Sequence, residues 1–298
     1  MKKILLIICL FSTIWGARAF SQETGLVLAG GGGKGAYEVG VWKAMIEYGI
    51  SKRVTAISGT SVGGLNSALF SCVDDYAAIE NIWKNLVPKY LTEGDALISQ
   101  AGLSRIISMI GLTKLQNNQY PRVTVTAVRN KFILTKTFLN SFSEKPGTYA
   151  SRFCLNEEKQ VTEIRNKLLA TAAFPVACNP IKLADGNEYY DGGFEQAGGD
   201  NVPLEPIAKD NGKYGLNIKT VFIVFLEKNP ERLYRDIDYD SFKLIRIIPS
   251  IELGNILEGT TNFTSNRIKM LIDYGYNDAV KVLQENGYYP VSDYWFED

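Results

Sequence analysis

The chain of 298 residues contains no histidine. That single absence excludes every Ser-His-Asp and Cys-His mechanism, and it removes the usual ligand of catalytic zinc sites, so neither a metal nor another cofactor is expected. Charge of one sign is lacking too: 32 basic residues balance 32 acidic ones. Nothing resembles the basic surface that nucleic acid requires or a polybasic stripe for anionic membranes. Cysteine is scarce at four residues. Past the N-terminus only Cys72, Cys154 and Cys178 remain, too few for a disulfide framework. They leave one bridge plus a thiol, or three thiols. No run after the N-terminus is long and apolar enough to cross a bilayer, which takes about 20 residues.

What is present begins with an export signature. Lys2 and Lys3 precede the apolar stretch Ile4 to Trp15, and Ala17-Arg18-Ala19 fits a small-residue cleavage site. Residues 1–19 therefore read as a signal peptide, and secretion or periplasmic delivery is expected. Residues 1–19 hold three basic residues and no acid, so cleavage leaves 29 basic against 32 acidic residues. Residues 20–298 read as one domain, with a core over about 24–230 and a helical C-terminal part over about 231–298.

The pattern along the chain is α/β. Thr24 to Ala29 is a short apolar strand ending in the glycine run Gly30 to Gly35, and Ala36 to Tyr48 has helical periodicity stopped by Gly49. Val54 to Ser58 is a second strand, followed by Gly59-Thr60-Ser61-Val62-Gly63 and a helix to about Ser71. This strand–glycine turn–helix unit, made twice, predicts a parallel sheet with functional loops at the strand carboxyl ends. Further along, Asp75 to Leu86 reads as helix and Leu103 to Leu112 as an apolar segment, either a lid or membrane face or a core helix. Val123 to Val128 reads as a strand with Phe132 to Leu139 as antiparallel partner, and Val161 to Ala173 as a helix. Ile181 to Tyr190 reads as a hairpin around Asp185-Gly186, Glu195 to Gly215 as a long loop, Thr220 to Leu226 as a central strand, and Arg267 to Glu285 as a closing helix.

Three pieces carry chemistry. Gly30-x-Gly32-x-x-Gly35 formally fits a dinucleotide fingerprint, but no acid stands between Glu47 and Asp74 to hold a ribose. A Walker loop fails because Leu28 opens it and Gly35 follows Lys34. What remains is a nest of backbone N–H groups at a helix start, suited to an oxyanion. The pentapeptide Gly59 to Gly63 fits a nucleophile elbow with Ser61 at the strand-to-helix turn. Without histidine the base for a serine must be Asp, Glu or Lys. Asp191-Gly192-Gly193 puts a carboxylate at a strand end. Lys34 is the weaker candidate, since its sequence neighbours form no apolar pocket to lower its pKa.

In this order the three pieces resemble the patatin-like phospholipase family: Gly30-Gly31-Gly32-Gly33-Lys34-Gly35, then Gly59 to Gly63, then Asp191-Gly192-Gly193. Ala36 to Val41, Ala170 to Pro175 and Asn201 to Leu204 support the likeness, which covers roughly residues 24–210. The resemblance implies a three-layer α/β/α sandwich with a mainly parallel central sheet. It also implies a lipid acyl hydrolase of phospholipase or esterase type with acyl lipid or phospholipid as substrate, acting at the membrane surface. Ser61 would be the nucleophile, Asp191 the general base, and Gly31, Gly32 and Gly33 the oxyanion donors. A departure is the insertion Phe194 to Asp200 before the Asn201 segment. The alternatives are a non-catalytic lipid-binding module of the same fold and a nucleotide-binding enzyme.

Overall fold

The computed structural model describes residues 23–92, 98–117, 121–130, 147–175, 177–230 and 241–291. In chain order the elements are β1 (Glu23–Leu28), α1 (Ala36–Glu47), β2 (Val54–Thr60), α2 (Val62–Cys72) and α3 (Tyr76–Asn81). A π-helical turn, Ile82–Leu86, carries α3 into α4 (Val87–Leu91). There follow α5 (Gln100–Met109), β3 (Arg122–Arg129), β4 (Ala150–Cys154), α6 (Val161–Thr171), β5 (Ile181–Lys182), β6 (Glu188–Asp191), α7 (Glu205–Lys213), β7 (Ile218–Val224), β8 (Lys243–Ile247) and α8 (Ser265–Glu285).

The sheet has a parallel run in the order β3-β2-β1-β7-β8. Its central strands are buried on both faces, as β1 and β7 show with unbroken apolar stretches from Leu26 to Leu28 and Val221 to Val224. Paired neighbours on adjacent strands point the same way. Gly25, paired with Ala56, points at Ile207 of α7, whereas Gly59, paired with Leu28, points at Gly63 and Gly64 of α2. Helices α2 and α7 thus lie on opposite faces, giving three layers. Trp42 of α1 stacks on Phe70 of α2 with ring centroids 4.8 Å apart, so α1 shares the face of α2.

Helix α1 is buried nearly all round, from Ala36 to Met45 with Lys43 excepted, rather than along one stripe. Its second side is covered by α8. The two backbones touch: a Cβ on Gly40 would sit 1.9 Å from Ile272 O, and one on Gly275 1.9 Å from Tyr37 O. Only glycine permits that approach.

Among the described residues β3 has three partners on its two edges. Thr124 and Thr126 pair with both β2 and β4, so these two lie on opposite edges. Ala127 and Val128 pair with both β4 and β6, so β6 shares the β2 edge. Strand β2 leaves that edge at Thr60, opposite Thr126, and β6 takes it up at Asp191, opposite Ala127. Chain ends 131 residues apart in numbering, at Thr60 and Asp191, become neighbours along one strand.

Two sequence expectations change. Glu195 to Gly215 is not a plain loop: α7 starts with Pro206 in its first turn and buries Pro206 and Ile207 against the sheet. The part after residue 230 is not only helical, since β8 extends the sheet beside β7. Among the described residues the antiparallel partners of β3 are β4 and β6; the expected partner Phe132 to Leu139 lies outside the described residues, as do residues 1–22. The other expected helices and the hairpin lie where the sequence puts them, α4 being unanticipated, and Thr220 to Leu226 runs one strand in from the β8 edge. Cys72, Cys154 and Cys178 are all unbridged. Among the described residues no helix is long and apolar enough to cross a membrane.

Candidate active site

Ser61 sits between the last residue of β2 and the first of α2, with φ 54° and ψ −124°. Among the described residues it is the one non-glycine with positive φ. Such backbone is strained by about 1–3 kcal/mol and persists only where the surroundings hold it. The hold is visible. A Cβ on Gly59 would lie 2.3 Å from Gly63 C and O, and one on Gly63 would lie 2.3 Å from Leu28 O. The elbow therefore packs backbone to backbone. The Ser61 N–H donates to Thr171 Oγ1 at 2.9 Å, and the Thr171 hydroxyl donates to Thr126 O at 2.5 Å. The α2 amino end lies under the serine, where partial positive charge favours developing negative charge.

Asp191 reaches Ser61 because of the shared β3 edge. Its carboxylate lies beside the Ser61 side chain, which favours the ionised form, and its Oδ1 accepts from Gly193 N–H at 2.8 Å. Its own N–H donates to Ala173 O at 3.0 Å, which fixes the end of β6 against the turn after α6. Burial pushes the carboxyl pKa up to about 6, against the pull of the Ser61 side chain and the Gly193 N–H. With that pKa the group is mostly ionised at neutral pH.

The glycine run after β1 lies beside the elbow, since β1 and β2 are paired neighbours. Gly30 N–H is taken by Asn201 O at 3.1 Å, and Asn201 Nδ2 donates back to Gly30 O at 3.3 Å. Asn201 thereby pins the glycine loop to the segment after Asp191. The first bond within the turn runs from Lys34 N–H to Gly31 O at 3.2 Å, so the preceding N–H groups have no partner from the turn itself.

Ser61, Asp191, Gly30, Gly31, Gly32, Lys34 and Gly193 all line one cavity of about 670 Å³. Gly33 does not line it and faces Asn262 O instead. Gly35, Gly59, Gly63 and Gly192 are packing positions behind the site; Gly192 lies against Thr126 O. Lys34 departs from expectation: burial lowers its pKa, opposed by Glu227, because its stem lies against Gly259 in the distant turn Ile256–Thr260. The apolar face of α5 (Leu103, Ile106 and Ile107) is at once buried and part of the cavity wall.

Sequence reasoning noted the segments holding Thr171 and Asn201 without giving either a task. Their tasks are contacts across 110 and 171 positions, invisible in local pattern. The insertion also finds a place. Asp200 N–H donates to Gly192 O at 2.8 Å, Thr60 Oγ1 donates to Asp200 O at 2.6 Å, and Arg152 pairs with the Asp200 carboxylate at 3.0 Å. Phe194 and Glu195 thereby become part of the cavity rim. Beneath the glycine loop lies fully buried Glu38, its carboxyl held well above the usual range by desolvation, with Asn66 donating to it at 2.8 Å.

Comparison with known proteins agrees with this architecture. Over 89% of this chain and 67% of the other, the fold is similar to the crystal structure of VipD from Legionella pneumophila, with TM-score 0.55 and 14% identity. The type III effector ExoU overlaps more loosely, with TM-score 0.34 and 17% identity over 89% of this chain and 53% of that one. In sequence, a lysophospholipase nte1 of Aspergillus terreus (strain NIH 2624 / FGSC A1156) is 46% identical over 54 residues, 18% of this chain; the match spans only 3% of that protein. The patatin-like phospholipase profile matches residues 26–207, more than half of the chain. The chain belongs to the patatin-like phospholipase family.

Proposed function

We propose that the protein is an exported serine lipid acyl hydrolase in which Ser61 is the nucleophile and Asp191 the general base. The observation that carries the reading is the buried Asp191 carboxylate beside Ser61, which is held in a strained turn at the wall of a largely apolar cavity. Asp191 takes the hydroxyl proton as Ser61 Oγ attacks the ester carbonyl. The charge on the carbonyl oxygen falls to the N–H groups of Gly31 and Gly32, which line the cavity, and to the start of α2. Collapse breaks the ester C–O bond, and the proton on Asp191 passes to the departing alkoxide. Asp191, ionised again, draws a proton from water, which attacks the acyl-Ser61 carbonyl. The acid leaves and Ser61 recovers its proton. The chemistry needs no histidine, in keeping with a chain that has none.

Export rests on the N-terminal pattern of Lys2, Lys3, the apolar run and Ala17-Arg18-Ala19. The membrane surface is where acyl lipid or phospholipid would be met. The test of the chemistry is hydrolysis of a p-nitrophenyl ester by wild type and Ser61→Ala. Turnover that vanishes with the hydroxyl supports the reading; equal turnover in both refutes it.

A further inference from the structure

Thr60 of β2, Thr126 of β3 and Arg152 of β4 form one rung of the sheet, so their side chains leave it on the same face. It is the α7 face, since Thr60 alternates in step with Ala56, the partner of Gly25, which points at Ile207. Asp200 is gripped there twice. Thr60 Oγ1 donates to its carbonyl at 2.6 Å, and Arg152 Nη2 pairs with its carboxylate at 3.0 Å. The same Nη2 pairs with Glu205 of α7 at 2.6 Å. The side chains of Asp200 and Arg152 are only 2% and 17% exposed, so water competes little for the pair.

We infer that Arg152 is a positioning residue for ester hydrolysis: it holds the Asp200-Asn201 dipeptide, and the dipeptide holds the neighbours of the nucleophile, the base and the glycine loop at once. This rests on the acyl hydrolase reading and deepens it. Asp200 N–H donates to Gly192 O at 2.8 Å, next to Asp191. Thr60, bonded to the Asp200 carbonyl, is next to Ser61. Asn201 exchanges two hydrogen bonds with Gly30 at the head of the glycine loop. Its Oδ1 fills the space between the pieces, 2.3 Å from where a Cβ on Gly30 would stand and 2.7 Å from one on Gly193. The segment before the dipeptide, Ala197-Gly198-Gly199, offers little side chain to anchor. Backbone bonds from Gly147 and Tyr149 N–H to Gly199 O and Gly198 O carry it. Arg152 secures its end through a buried carboxylate, which is costly to leave unpaired. A misplacement of about 1 Å in reacting groups can cost about a hundredfold in rate, so a grip on all three neighbours is felt in the chemical step.

The test is a kinetic double-mutant cycle with p-nitrophenyl butyrate, with active serines counted by end-point fluorophosphonate labelling and folding followed by melts. Arg152→Met should lower kcat per active serine by about 10–100-fold with KM within about twofold of wild type, and Arg152→Lys should recover part of the loss. Thr60→Val removes the second grip on Asp200 and should lower kcat in the same way. Because both act through Asp200, the double variant should lose less than the product of the two single losses, whereas independent sites multiply. If Arg152→Met does not fold, Asp200→Asn, which loosens the same grip without stranding a buried charge, takes its place in the cycle. A lower melting temperature with wild-type kcat per active serine, or losses that simply multiply, overturns the inference. Ser61→Ala separates the two levels. If it hydrolyses the ester as fast as wild type, the hydrolase reading fails; if turnover needs Ser61 but ignores Arg152, this inference alone fails.

Discussion

Replacing Asp191 by asparagine should abolish turnover and at the same time make the protein more stable. Burial raises the Asp191 pKa from 3.8 to about 6, so its ionised form is held in the fold at a cost. A shift of that size corresponds to about 3 kcal/mol at pH values above both pKa values. The sign follows from proton binding. Between the two pKa values the native state binds more protons than the unfolded state, so wild-type stability falls as pH rises through that window. Above about 6 the full penalty is in place. Asparagine keeps an acceptor for Gly193 N–H and a polar partner for Ser61 without the charge. Asp191→Asn should therefore melt higher at pH 8, by up to about 6 °C at roughly 2 °C per kcal/mol. The gain should shrink as pH falls through 6 and be gone near 3.8. Paired thermal melts of wild type and variant across this range, with ester hydrolysis at each pH, make the assay. A variant less stable than wild type at pH 8, or a gain that persists at low pH, would refute the assignment of a desolvated carboxylate.

Other consequences are independent. In wild type, kcat/KM should fall about tenfold per pH unit below about 6, as the Asp191 base becomes protonated; a flat profile there would remove the carboxylate from the rate law. Thr171→Val deprives Ser61 N–H of its acceptor, which should cost about 1–3 kcal/mol of stability and lower kcat more than KM changes, with Thr171→Ser restoring both in kinetics and melts. Gly275→Ala pushes a methyl into Tyr37 O at the α1–α8 crossing, and denaturant unfolding should register a loss of about 1–3 kcal/mol or more, with Ser61 chemistry retained in whatever remains folded.

Local pattern carried most of the frame. Strand, glycine turn and helix can be read at Leu26 to Tyr48 because apolar periodicity and a stopping glycine act within a dozen residues. The elbow at Ser61 and the carboxylate at Asp191 could be named for the same reason. Their meeting could not be derived that way, because it depends on β6 continuing the edge of β3 that β2 abandons. Asn201 and Thr171 escaped for a related cause: each serves backbone groups far away in the chain. Helix α7 was hidden by Gly, Asn and Asp around a short apolar patch, Leu204 to Ile207, whose burial against β1 outweighs weak propensity. The sequence neighbours of Lys34 form no apolar pocket, yet it is partly buried, with Gly259, more than 200 positions on, against its stem.

The most direct measurement is covalent. A fluorophosphonate probe mixed with the pure protein, followed by peptide mass spectrometry, reports which hydroxyl is activated. The account predicts a single adduct on Ser61, none in Ser61→Ala, and labelling slowed by about 10²–10⁴-fold in Asp191→Asn. An ester hydrolysis rate that survives Ser61→Ala, with the adduct absent or on another residue, would contradict it.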